Sequence, residues 1–164
     1  METIDINKLS YEGKIDLASN NETSAELLAI LAKDDEWRVR EAVAENENTS
    51  ADVLAMLAKD KDCYVRKAVA ENENTSIDVL AMLAQDEMWR VRNAVAENIN
   101  TPADVLAMLA KDVDIDVRCM VTDNKNTSVE TLVMLSKDNN EWVSEAAENA
   151  LKERKEKSKT RMER

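Results

Sequence analysis

The sequence has no phenylalanine and no histidine, and its 164 residues include one glycine (Gly13) and one proline (Pro102). β-Sheet folds draw on β-branched and aromatic strands punctuated by Gly-rich turns, so this composition argues against them. Without histidine, the commonest general base and the imidazole metal ligand are both missing. A single glycine leaves no Gly-rich loop to cradle a phosphate. Two cysteines, Cys63 and Cys119, are too few for a disulfide framework. No apolar run approaches the roughly 18 residues that a membrane span requires. The opening Met1-Glu-Thr-Ile-Asp lacks the basic and apolar regions of a secretory signal, so a cytoplasmic protein with no membrane contact is expected. What remains is 44% hydrophobic and 34% charged residues with a net charge of −12, enough apolar material for a core.

Aligned on itself, the chain repeats every 26 residues. Complete units start at Thr23, Thr49, Thr75, Thr101 and Thr127. The second half of a unit reads Val-Arg-x-Ala-Val-Ala-Glu-Asn, as at Val39–Asn46, Val65–Asn72 and Val91–Asn98, and drifts to Val117-Arg-Cys-Met-Val-Thr-Asp-Asn in the fourth. Lys14-Ile-Asp-Leu-Ala-Ser-Asn is a worn second half. The expected organisation is therefore an N-terminal half-repeat cap over 1–22, five repeats (23–48, 49–74, 75–100, 101–126 and 127–151) and a basic tail over 152–164.

Each unit reads as two short helices. In the second unit the first helix is expected over Ala51–Ala58, with Thr49 as N-cap, Asp52 at the third position, and Pro102 as the first helical residue of its own unit. Val53, Leu54, Met56 and Leu57 make this helix apolar nearly all round, so it should be covered on several sides. The second helix is expected over Cys63–Glu71, with Val65, Ala68 and Val69 inward; two turns are short enough for part of it to be 3₁₀. Asn20, Asn46, Asn72, Asn98 and Asn124 are the expected left-handed residues that stop it. One such unit buries too few side chains to offset the entropy of ordering it, so units must stack. The fold expected is an all-α solenoid.

The string Asn100-Thr-Pro-Ala-Asp-Val-Leu-Ala-Met-Leu-Ala-Lys-Asp-Val-Asp-Ile-Asp-Val-Arg118 resembles the leucine-rich repeat variant family, whose pattern is Asn-x-Thr-Pro-x-x-Leu-x-x-Leu-Ala-x-Asp, a short loop, then Val-Arg-x-x-Val-Ala-x-Asn. The likeness covers roughly residues 14–151. It implies a right-handed, HEAT-like superhelix of paired short helices. The family's founding type also carries an iron–sulfur cluster on N-terminal cysteines; Cys63 and Cys119 do not match that pattern, so no cofactor is expected.

Chemistry is sparse. Serine and threonine residues fall mostly at cap positions with no histidine to activate them. Carboxylates at Glu26, Asp52, Asp78, Asp104 and Glu130 sit in the first turn of a helix, where the dipole accounts for them. No catalytic residue and no metal ligand stands out, and an enzyme is not expected. Arg40, Arg66, Arg92 and Arg118 recur in step with Asp34, Asp60, Asp86 and Asp112, which reads as a ladder of Asp–Arg hydrogen bonds.

The units differ mainly in the loop before the second helix and in its first turns. Four of the five aromatic residues fall there, and Trp, Tyr and Arg dominate binding hot spots. Trp37, Arg38, Glu41, Tyr64, Lys67, Trp89, Arg90, Asn93, Ile115 and Asp116 are thus the candidate protein-binding residues, unless the rings plug gaps between neighbouring loops. Glu45, Glu47, Glu71, Glu73 and Glu97 follow the second helix at its negative end, where the dipole disfavours them, and form a candidate acidic ridge for a basic partner, with solubility as the alternative. Residues 151–164 carry seven basic and three acidic side chains, net +4, leaving −16 on the rest. That body should repel a phosphate backbone, so nucleic acid, through the tail or the Arg series, ranks second to a protein partner. Beyond Leu151 the tail should be a frayed, solvated helix, and the protein a monomer.

Overall fold

A computed structural model describes residues 6–162. Among them are a 3₁₀ turn, Ile6–Lys8, and the α-helices α1 (Tyr11–Ser19), α2 (Ala25–Leu31), α3 (Trp37–Glu45), α4 (Ala51–Leu57), α5 (Cys63–Glu71), α6 (Ile77–Leu83), α7 (Trp89–Glu97), α8 (Ala103–Leu109), α9 (Ile115–Asp123), α10 (Val129–Leu135) and α11 (Glu141–Met162). The fold is all-α, built from alternating seven- and nine-residue helices with the 26-residue period. The second helix of each repeat is the longer one and is α throughout, not 3₁₀. Two full α-turns hold because Val39, Ala42 and Val43 bury one face and Ala44 is sealed beside them.

Two compact units divide the chain, Met1–Val79 and Leu80–Arg164, the boundary falling within α6. In the first, the second-half helices α1, α3 and α5 pack in succession, while α2 and α4 lean on them. In the second, α7, α9 and α11 form the corresponding stack, flanked by α8 and α10. The core slots repeat with the sequence: Leu28, Leu31, Val39, Val43, Leu54, Leu57, Val65 and Val69 in the first unit are 2% exposed or less. Leu80, Leu83, Val91, Val95, Leu106, Leu109, Val117, Val121, Leu132, Leu135 and Val143 do the same in the second. The first helices are not covered all round as their composition suggests. Met56, Met82, Met108 and Met134 keep about two fifths of their surface open, while the leucines of the same helices turn inward.

The helix ends differ from the sequence expectation in two ways. The N-cap is one residue later than Thr49: Ser24, Ser50 and Ser128 accept from the backbone N–H of Leu27, Val53 and Thr131. Pro102 occupies that cap slot instead of the first helical position, its φ of −75° natural to the ring. Asp52 therefore closes no capping box. The threonine hydroxyls are drawn away because they donate to last-turn carbonyls of the preceding helix: Thr23 to Leu17, Thr49 to Val43, Thr75 to Val69, Thr101 to Val95 and Thr127 to Val121, each 2.6 Å.

Nor are the asparagines left-handed. No described residue has positive φ, and Asn46 and Asn72 are extended, with φ −71° at each. Each Oδ1 accepts from the N–H two residues on, as Asn48 to Asn46 at 2.8 Å. Each Nδ2 reaches back one repeat: Asn46 to the carbonyls of Ala18 and Asn20, Asn72 to Ala44 and Asn46, Asn124 to Ala96 and Asn98, at 2.7–3.1 Å. A second asparagine adds to this, Asn74 donating to the Glu47 carbonyl at 2.6 Å and Asn126 to those of Ile99 and Thr101. These bonds need the extended geometry, which aims the amide at the neighbouring repeat.

The tail is helical and continuous with the last repeat, α11 running to Met162, and most of its described residues beyond Leu151 are exposed. After Asn124 the next slot of the asparagine series is Ala150, which donates nothing. Arg154, one turn further along α11, folds back and gives its guanidinium to the carbonyls of Thr127, Asn124 and Lys125. One arginine thus does for the last repeat what two asparagines do for an inner one.

Candidate functional site

The variable loops lie between the first helix of a repeat and the second. In the first unit, Trp37 opens α3 and Tyr64 stands in the first turn of α5; their rings stack at 5.3 Å between centroids and 27° between planes. The Arg38 guanidinium lies 4.5 Å over the Trp37 ring. Trp37 is half-buried while Tyr64 is 49% exposed, so the stack has a covered end and an open one. Glu41, one turn beyond Trp37, is pushed above the ordinary carboxylate range by burial, then by the charges of Glu45 and Asp62. Lys67 pairs with Glu71 at 2.5 Å.

In the second unit Arg90 lies 4.7 Å over Trp89, and both open α7. Asn93, one turn on, has its Oδ1 buried without a hydrogen-bond partner. Ile115 is 40% exposed and Asp116 is exposed at the start of α9. Cys119, a turn further, has its thiol pushed up by burial and by Asp123 and Asp116. Such a thiol is a poor nucleophile at neutral pH. Trp142, at the equivalent place in the last repeat, is 73% exposed, the most open ring on the ridge. The period alone could have added it to the candidates.

The Arg series is occupied from within. Arg40 grips the Asp60 carboxylate with Nε at 2.6 Å and Nη2 at 2.9 Å, and its Nη1 donates to the carbonyls of Asp34 and Asp35. Arg92 holds Asp112 and Arg118 holds Asp138 in the same fork, with Nη1 on Asp86 and Asp112 carbonyls respectively. Arg66 donates to the carbonyls of Asp60 and Lys61. In each fork the carboxylate comes from the following repeat, twenty residues on, and the nearby Asp of the same repeat gives its backbone. Lys14 fills the first rung, 2.7 Å from Asp34. Lys14 and Asp138 extend the series at both ends and lie one period from Arg40 and Asp112.

These carboxyls sit below the usual range. For Asp60 and Asp112 burial opposes ionisation, but the guanidinium of Arg40 or Arg92 and a backbone N–H two residues on outweigh it. For Asp138 the Arg118 hydrogen bond dominates. Glu45, Glu47, Glu71, Glu73 and Glu97 are all exposed along the end of the second helices. Near the C-terminus a cleft of about 700 Å³ is lined by Lys125, Arg154 and Lys157 together with Asp123 and Glu153. Two of its basic groups are engaged within the chain, Arg154 by backbone carbonyls and Lys157 by Glu153 at 3.3 Å. Among the described residues no helix is long and apolar enough to cross a membrane.

Residues 37–62 match the family described as leucine rich repeat variant. A solved leucine-rich repeat variant, described as having a novel repetitive protein structural motif, superposes with a TM-score of 0.72 at 27% identity over 89% of this chain and 58% of that one. The chain thus spans little more than half the length of that relative. An engineered protein shares the fold with a TM-score of 0.55 at 18% identity, over 86% of this chain and 88% of its own. No curated protein matches the sequence. With the matched motif recurring at a fixed period and the paired helices in place, the chain is a helical-repeat protein similar to the leucine-rich repeat variant family.

Proposed function

We propose that the chain is a non-enzymatic, cytoplasmic scaffold that holds another protein against the loops preceding its second helices. The observation that carries this reading is the Trp37–Tyr64 stack capped by Arg38. It is a stacked aromatic pair with a guanidinium on its covered member and an open phenol on the other. Rigid aromatics beside arginine give large contact area at low entropic cost, the composition of binding hot spots. Arg38, Glu41 and Lys67 supply charge of both signs around the pair, and Trp89, Arg90, Asn93, Ile115 and Asp116 repeat the composition in the second unit. The glutamates after the second helices favour a partner with a basic surface. A nucleic-acid role has less support, because Arg40, Arg92 and Arg118 are committed to aspartates and Arg154 to carbonyls. The test is affinity capture with wild type against the double variant Trp37→Ala, Trp89→Ala. A protein retained by wild type and lost by the variant, with helical circular dichroism and melting nearly unchanged, supports the reading. Loss of the fold in the variant would assign the rings to packing.

A further inference from the structure

The first helices of the second unit present three parallel rows away from the core. Met82, Met108 and Met134 occupy one slot of successive repeats and are 39%, 40% and 39% exposed. Four residues before the last two stand Asp104 and Glu130, and three residues after them Lys111 and Lys137, all four exposed. Positions i, i+4 and i+7 share a helical stripe, and the chain stays helically wound to the lysines, since the N–H of Lys111 donates to the Met108 carbonyl and that of Lys137 to Met134. Each helix therefore displays acid, methionine and base in that order from its N-terminal end. The core does not need the methionines, because Leu106, Leu109, Leu132 and Leu135 already fill it at 0–1% exposure. Beside the lysine row lies a cleft of about 440 Å³ lined by Met134, Lys111 and Lys137, with the Arg118–Asp138 pair and Asp112 in its wall.

From this arrangement we infer that the face receives an amphipathic α-helix of another protein. That helix lies across Met82, Met108 and Met134, with a basic flank beside Asp104 and Glu130 and an acidic flank dipping toward the cleft between Lys111 and Lys137. Dimensions select a helix. Seven residues separate the acidic from the basic row, about 10.5 Å along the axis, close to the ~10–12 Å width of a helix with its side chains. Neighbouring helices repeat about every 10 Å, and a heptad of the occupant rises about 10.5 Å, so its apolar residues at i, i+7 and i+14 meet the three methionines in turn. An extended strand would turn every second side chain away and leave one charged row unmet. Unbranched, polarisable methionine suits such a seat by repacking around branched or aromatic side chains. This surface lies on the first helices and does not depend on the loop ridge.

The test uses the full chain and a display library of 21-residue helices with apolar residues fixed at heptad spacing and Lys or Glu randomised along both flanks. Binders should emerge with Lys on one flank and Glu on the other, and should move the ¹³C-methyl resonances of Met82, Met108 and Met134. Met108→Lys should weaken them at least tenfold, Met108→Gln less, with melting retained in both. Exchanging Lys111 and Lys137 for Glu should favour peptides with Lys on both flanks, while Trp37→Ala, Trp89→Ala should leave binding unchanged. The inference falls if no recovered helix distinguishes wild type from Met108→Lys, if winners carry one sign throughout, or if the methionine methyls report only concentration-dependent association of the chain with itself.

Discussion

Each repeat has two loops, and they obey different rules. The loop after the second helix reads Glu-Asn-x-Asn-Thr with little variation, and its side chains are spent on the backbone of the repeat before it. The loop after the first helix varies more, yet its third residue is always Asp, and at Asp60 the carboxyl receives both an N–H two residues on and an arginine of the preceding repeat. Where buried carbonyls must find donors, identity is constrained. Where only the anchor is bonded, the following residues are open to change, and the aromatics and charges collect there. Internal variation thus maps hydrogen-bond obligation more directly than it maps distance from the core.

Substitutions at the anchors should be far more damaging than substitutions on the ridge. Arg40→Ala leaves Asp60 about 8% exposed in its side chain without its fork, and should cost about 3–4 kcal/mol in urea unfolding. Asn124→Ala strips donors from two buried carbonyls, those of Ala96 and Asn98, for about 2–3 kcal/mol. Arg154→Ala should cost about 1–2 kcal/mol, with faster amide exchange confined to the last repeat, since its acceptors are partly solvated. On the ridge, Trp142→Ser should change stability by no more than about 0.5 kcal/mol. If Trp142→Ser proved as damaging as Asn124→Ala, the contrast between the loops would fail.

Titration sharpens the same comparison. Asp60, Asp112 and Asp138 have folded pKa values below their unfolded ones, near 3.9, so their contribution is full above about pH 4 and disappears as pH falls through the depressed values. Glu41, on the ridge, runs the other way. Its folded pKa is raised, so protonation favours the fold and stability declines as pH rises through it. Glu41→Gln should therefore raise the melting temperature slightly at pH 7 and leave it unchanged near pH 4. Asp60→Asn should flatten the acid limb of the melting curve.

Much of the fold was legible because it is written locally and repeated. The second helix of the second repeat runs over the residues its apolar spacing marks, Cys63–Glu71, and the Leu and Val slots that period places inward are the buried ones. Its caps were not legible. Thr49 and Ser50 are both good N-caps, and the choice between them turned on a carbonyl six residues earlier that only Thr49 reaches. The same holds for Asn72, whose usual role of ending a helix in the left-handed region is displaced by acceptors 26 and 28 residues back. At the candidate site, spacing located the ridge and the Asp–Arg series. It did not tell which Asp offers its carboxylate and which its backbone, nor that Trp37 rests on Tyr64.

By itself, then, the sequence determined the period, the helical class and the inward slots, since propensity and amphipathic spacing act over a few residues and need no knowledge of neighbours. Only the tertiary structure decided which carbonyl each asparagine and threonine serves, which methionines stay in water, and how Arg154 closes the last repeat. Those outcomes depend on groups a whole repeat apart in the chain, brought together by stacking, and nothing within one repeat carries their geometry.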